Sequence, residues 1–145
     1  MKKKLTLLIL ALFMTIGGAW ADTYTITYNK GAGGTFSAAN ASGWCSSWVS
    51  TDTPTITFLS ASNGFNTNNG ALAQQSFTIS VQDGYIITGY KISCVSGWGA
   101  LVTTASNETE TFSGAKEKTF SVEANATSTS FSVSNKNLNN ATINI

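Results

Sequence analysis

Apolar and polar residues alternate with a period of two over most of the chain, and the clearest case is Ser76 to Val95. Phe77, Ile79 and Val81 alternate with Thr78 and Ser80; past Gln82-Asp83-Gly84, Ile86, Tyr90, Ile92 and Cys94 share the opposite parity from Lys91 and Ser93. Alternation of this kind marks strands with one buried face, and an Asp-Gly step between two such runs predicts a β-hairpin.

The same rhythm recurs on both sides. Thr23 to Tyr28 predicts a first strand and Asn29 to Gly34 a turn, while Thr35 to Gly43, small and polar, predicts a loop. Trp44 to Ser50 and Pro54 to Leu59 predict two strands around a turn at Thr51-Asp52-Thr53, with Pro54 at a strand start, where a missing N–H does least harm. Ser60 to Gln75 is rich in Asn and Gly and predicts loop with one short strand. Gly97-Trp98-Gly99 then interrupts the pattern before Ala100 to Thr104, and Asn107 to Thr111 is a polar stretch. Lys118 to Ala124, Ser130 to Ser134 and Ala141 to Ile145 alternate again, separated by turns at Asn125 to Thr127 and Asn135 to Asn140.

Beyond the first twenty-one residues, nowhere do apolar residues recur at helical spacing over three turns, so helix content should be close to nil. About eight short strands, spaced roughly ten residues apart, predict an all-β domain: an antiparallel β-sandwich of jelly-roll or immunoglobulin-like type, with a partly open barrel as the alternative. The last strand ends on Ile143-Asn144-Ile145 with no polar tail. That fits either a strand tucked into a sheet or the front piece of a longer protein.

The N-terminus has a different pattern. Lys2, Lys3 and Lys4 precede an apolar run from Leu5 to Ile16, which relaxes into Gly17-Gly18-Ala19-Trp20-Ala21. These are the three regions of a secretory signal peptide, residues 1–21, with cleavage expected between Ala21 and Asp22. The apolar run falls short of the roughly 20 residues a membrane span needs, so no span should remain after cleavage. A secreted, periplasmic or cell-surface location follows, and residues 22–145 should form a single domain with one core.

Charge narrows the partners. Past the leader, five lysines face seven carboxylates and there is no arginine, a balance of −2 with the lysines scattered. Nucleic-acid binding needs clustered cations to displace counterions, and is excluded. Cys45 and Cys94 would meet an oxidising environment after export. They form either a disulfide pair, worth roughly 4 kcal/mol through loop closure, or two separate buried thiols; spacing does not choose between them.

Candidate chemistry is sparse. The chain has no histidine, which removes Ser-His and Cys-His nucleophiles and the commonest metal ligand, and two cysteines do not make a zinc site. A glycosidase needs two facing carboxylates, one with a raised pKa. Asp52 and Asp83 fall in turns, and Glu108, Glu110, Glu117 and Glu123 in polar surroundings, so no enzyme, metal site or cofactor is expected. Calcium held by Asp52 or Asp83 lacks the Asp-rich loop that would support it.

Aromatics are better placed for binding. A sugar ring packs its C–H face on Trp or Tyr while Asn, Gln, Ser and Thr satisfy its hydroxyls, and Trp44, Trp48 and Trp98 stand among such residues. In Trp44 to Ser50, Trp44 and Trp48 share one parity and Cys45 and Val49 the other. If Cys45 faces inward, both tryptophans face out about 13 Å apart; if apolar area decides, the tryptophans take the core. Trp98, between two glycines, is the better single candidate for an exposed platform, a lid over the end of the sandwich being its alternative.

Two fragments carry a resemblance: Ser47 to Pro54 leading into Thr55-Ile56-Thr57, and Gly84-Tyr85-Ile86-Ile87-Thr88-Gly89-Tyr90. Together they resemble the N-terminal, non-catalytic β-sandwich modules that precede secreted sialidases and other glycoside hydrolases of gut bacteria, over roughly Thr23 to Ile145. The resemblance implies an accessory role, with a glycan as ligand and a hydrolase domain as a C-terminal or neighbouring partner. The alternative function is a structural spacer or surface-assembly domain acting by strand addition through Ala141 to Ile145.

Overall fold

The structure is a computed structural model that describes residues 24, 27–28, 36–38, 43–51, 53–66 and 68–145. The leader, its expected cleavage point at Ala21 and Asp22, Asp52, and most of the first predicted strand and turn lie outside these residues.

Among the described residues the secondary structure is all strand and turn. Fourteen strand segments follow in order: β1 (Thr27–Tyr28), β2 (Phe36–Ala38), β3 (Trp44–Cys45), β4 (Ser47–Ser50), β5 (Ile56–Ser60), β6 (Phe65–Asn66), β7 (Ala71–Leu72), β8 (Ser76–Val81), β9 (Gly89–Ser96), β10 (Ala100–Thr104), β11 (Thr109–Phe112), β12 (Lys116–Ser121), β13 (Ser128–Ser134) and β14 (Asn139–Asn144). They form a four-stranded sheet, β1-β14-β9-β12, a seven-stranded sheet, β11-β10-β13-β8-β5-β4-β2, and a small sheet, β3-β6-β7. Every strand pairing is antiparallel, and the architecture is a β-sandwich. No helix among the described residues is long and apolar enough to cross a membrane.

The Ser76 to Val95 stretch is two strands but not a hairpin. β8 lies in the seven-stranded sheet between β5 and β13, and β9 in the four-stranded sheet between β14 and β12. A turn closes at Gln82–Tyr85, with Gly84 at φ 88°. The chain then crosses over in an unpaired extension whose Ile87 is buried and donates its N–H to Ala126. Two alternating runs give the same sequence pattern whether they pair edge to edge or face each other across a core. Here Phe77 and Ile79 point inward from one sheet and Tyr90, Ile92 and Cys94 from the other. The residues from Gln82 to Thr88 are also too many for the two-residue loop that favours a hairpin.

Three smaller expectations are corrected in the same way. Phe36–Ala38, expected as loop, is a strand paired with β4. The polar stretch at Asn107 to Thr111 holds most of β11, which forms a true hairpin with β10. Trp44 to Ser50 is two strands in different sheets, broken by a bend at Ser46. By contrast, the last strand is tucked in: β14 pairs with β1 on one side and β9 on the other.

Aromatic rings join the layers. Phe131 of the seven-stranded sheet stacks on Phe77 (centroids 5.2 Å) and, across the sandwich, on Tyr90 (5.6 Å). Tyr28 of the four-stranded sheet meets Trp48 of the seven-stranded sheet edge to face at 4.9 Å. Phe65, from the small sheet, contacts Tyr28, Trp48, Phe58 and Phe77, closing one end. Burying such rings is the main favourable term in a domain of this size. Between the sheet edges β11 and β12, Lys116 pairs with Glu110 and Lys118 with Glu108 (2.8 Å), and a third pair, Lys91–Glu117 (3.3 Å), lies across β9 and β12. Charges along an edge strand also discourage unwanted strand addition.

Cys45 and Cys94 are both free thiols buried in the core cluster. Burial pushes both upward from the ordinary thiol range; at Cys45 hydrogen bonds from the Ser47 backbone and the Trp48 side chain pull the other way, less strongly. Burial likewise pushes Tyr28 and Tyr90 well above the ordinary phenol range. All four groups keep their protons in the native state at a pH where the unfolded chain gives them up. Stability therefore falls as pH rises through the unfolded-state values of about 8.5 for Cys and about 10 for Tyr. Thermal melts should be flat from about pH 6 to 8 and drop steeply above about 8.5; a melting temperature that holds through about pH 10 would contradict this. The buried Tyr90 hydroxyl has no hydrogen-bond partner among the described residues, so Tyr90→Phe should be about 1 kcal/mol more stable at neutral pH in urea titrations and have a shallower alkaline slope.

Candidate functional site

Of the three tryptophans singled out in the sequence, the structure buries one and exposes two. Trp48 is fully buried, so it offers no platform and the pairing of Trp44 with Trp48 on one open face is overturned. The bend at Ser46 resets the alternation, allowing Cys45 and Trp48 both to face inward while Trp44 and Val49 face out. Trp44 is 39 % exposed on β3, opposite Asn66. Trp98 is 72 % exposed, the most exposed large apolar side chain described.

Trp98 is displayed by a tight turn. β9 ends at Ser96, and the Ala100 N–H donates to the Gly97 carbonyl (2.8 Å) across a turn whose central residues, Trp98 (φ 50°) and Gly99 (φ 83°), are both left-handed. This matches a type I′ turn, which glycine fits at little cost and tryptophan only at about 1 kcal/mol or more. The turn is clamped from outside, because Gly97 N–H donates to Gly114 (3.1 Å) and Gly99 N–H to Phe112 (2.9 Å). Gly97 lies so close to the next strand that a Cβ there would stand 2.0 Å from the Phe112 carbonyl oxygen. Only glycine permits that approach.

Beside the indole opens a shallow groove of about 430 Å³ lined by Gln74, Trp98, Lys136, Asn137 and Asn139. Three pieces of chain meet there. Leu72 and Leu138 exchange backbone hydrogen bonds (2.8 and 3.0 Å), bringing the segment after β7 against the segment before β14, and Asn139 lies opposite Ser96 on β9. The polar side chains of the groove are uncommitted: among the described residues, Gln74, Lys136, Asn137 and Asn139 have no side-chain hydrogen bond or ion pair. Other amides nearby are spent on the fold. Asn66 and Asn69 cap their own turns, Gln75 holds Ser62, and Gln82 holds Thr55. An exposed ring beside free amides and an ammonium group can stack on one face of a flat ligand and hydrogen-bond its rim.

No family model matches the chain, and no curated protein or solved structure matches it.

Elsewhere most of the described carboxylates are engaged. Glu108, Glu110 and Glu117 are each paired with lysine, and the hydrogen bond from Lys116 holds Glu110 below the usual carboxylate range. Among the described residues no group of three or more His, Cys, Asp and Glu side chains could share a metal ion. A second cleft of about 360 Å³ lies between the β10–β11 and β12–β13 turns, lined by Ser and Thr hydroxyls with Glu123 and no aromatic ring.

Gln74, Lys136, Asn137 and Asn139 were not legible as site residues in the sequence. They fall in polar turn segments like many others, and only long-range pairings bring them to Trp98: Asn139 opposite Ser96 for the segment before β14, and the Leu72–Leu138 bridge for Gln74. Gly97→Ala should cost about 2–3 kcal/mol in urea unfolding, because the Phe112 strand must give way. Gly99→Ala, with open space around it, should cost only about 1 kcal/mol for its backbone angle. Equal losses would show that the turn is not held by that contact.

Proposed function

We propose that this protein is an exported, non-catalytic carbohydrate-binding module, an accessory to a glycan-degrading system, with Trp98 as its sugar platform. One observation carries the reading: a tryptophan held in a strained conformation, largely exposed, over a groove whose amides and ammonium make no internal hydrogen bond. Fold stability alone gives no reason to keep a bulky apolar ring in a left-handed, solvent-facing position, and strain of this kind marks functional sites. A pyranose would lay its C–H face on the indole while Gln74, Asn137 and Asn139 meet its hydroxyls.

Two further considerations support it. The resemblance of Ser47 to Thr57 and Gly84 to Tyr90 to modules ahead of secreted glycoside hydrolases suggests a hydrolase domain as a C-terminal or neighbouring partner. The described glutamates of β11 and β12 are engaged with lysines, and Glu110 is shifted opposite to what a catalytic acid requires. Assembly by strand addition through the last strand is disfavoured, since both edges of β14 are occupied.

Affinity electrophoresis and calorimetry against a panel of plant and host oligosaccharides test the reading. Retention of the protein by at least one of them is expected, with Trp98→Ala weakening it about tenfold or more and Trp44→Ala having little effect. No retention on any saccharide, or full retention by Trp98→Ala, would remove the claim.

A further inference from the structure

We infer that the Trp98 groove selects an anionic sugar, one carrying a carboxylate or sulfate group, and that Lys136 reads that charge. The inference rests on the carbohydrate-binding reading above and adds the class of ligand. Four lysines are described, and three of them, Lys91, Lys116 and Lys118, are paired with Glu117, Glu110 and Glu108. Lys136 is the one without a carboxylate partner among the described residues, and it lines the groove beside the indole.

Among the described residues no carboxylate compensates that charge. The three segments that build the groove, Thr53 to Gln82, Gly84 to Asn107 and Ala124 to Ile145, contain no aspartate or glutamate. The described carboxylates lie instead in the β8–β9 turn (Asp83), beside and on the β11 and β12 edges (Glu108, Glu110 and Glu117) and at the second cleft (Glu123). Among the described residues, where the other three lysines are paired, one free cation is therefore kept where an exposed ring and three uncommitted amides already converge. The amides donate to either kind of sugar, whereas the ammonium favours one with a negative group at its rim.

Fluorescence or calorimetric titration of the purified chain tests this with three matched ligands: a neutral oligosaccharide, a uronate oligosaccharide of similar length and linkage, and a sulfated one. At low ionic strength the protein should bind at least one anionic ligand about three- to fivefold more tightly than the neutral one. The preference should shrink in about 0.2 M salt, because an exposed pair is screened. Lys136→Gln should remove the preference by weakening the anionic ligands more than the neutral one, and Trp98→Ala should weaken all three. Preference for the uronate alone or the sulfate alone identifies the anion and supports the inference. Equal binding of neutral and anionic ligands, with Trp98→Ala still weakening them, would overturn the inference and leave the carbohydrate reading standing. A preference that survives Lys136→Gln would also overturn it, and failure to bind any of the three would overturn both.

Discussion

The contact between Gly97 and the carbonyl of Phe112 is the constraint on which the exposed site depends. It presses the β9–β10 turn against the β11–β12 turn so closely that no side chain fits between, and two backbone hydrogen bonds, to Gly114 and Phe112, lock it there. With Gly97 pinned and Gly99 supplying the second left-handed residue, the side chain of Trp98 stands out into solvent. The Lys116–Glu110 and Lys118–Glu108 pairs tie β11 to β12 just behind this contact, so the surface that the turn leans on is itself held across both sheets.

That local device works because the layers beneath it are rigid. Phe131 joins Phe77 of its own sheet to Tyr90 of the other, and Tyr28, Trp48 and Phe65 do the same at the end closed by the small sheet. Trp48 and Trp98 thus represent the two uses of a large aromatic in one chain. The first contributes area to the core, and the second is withheld from it at a cost in backbone strain.

Much of the frame was legible in the sequence because side-chain parity is a direct consequence of one-sided burial. Ala100 to Thr104 and Ser130 to Ser134 fall inside β10 and β13, and the Gly97-Trp98-Gly99 break falls at a turn. What was lost is pairing. Ser76 to Val95 has the alternation of a hairpin but connects opposite sheets, because parity records which face is buried and not which neighbour lies alongside. In Trp44 to Ser50, one bend at Ser46 reversed the parity and sent Trp48 inside, against the outward option that Cys45 suggested. The groove residues Gln74, Lys136, Asn137 and Asn139 gave no local signal, since their proximity to Trp98 is made by two long-range pairings, Asn139 with Ser96 and Leu72 with Leu138.

The account comes down to a single ring that is rigidly held, open to solvent and flanked by unspent polar groups. Indole N–H resonances of 15N-labelled protein during titration with a retained oligosaccharide address that ring most directly. The account predicts that the Trp98 signal shifts progressively and saturates, while the Trp48 signal, sealed between Tyr28 and Phe65, stays in place. A Trp98 signal that does not move while the ligand binds would contradict it.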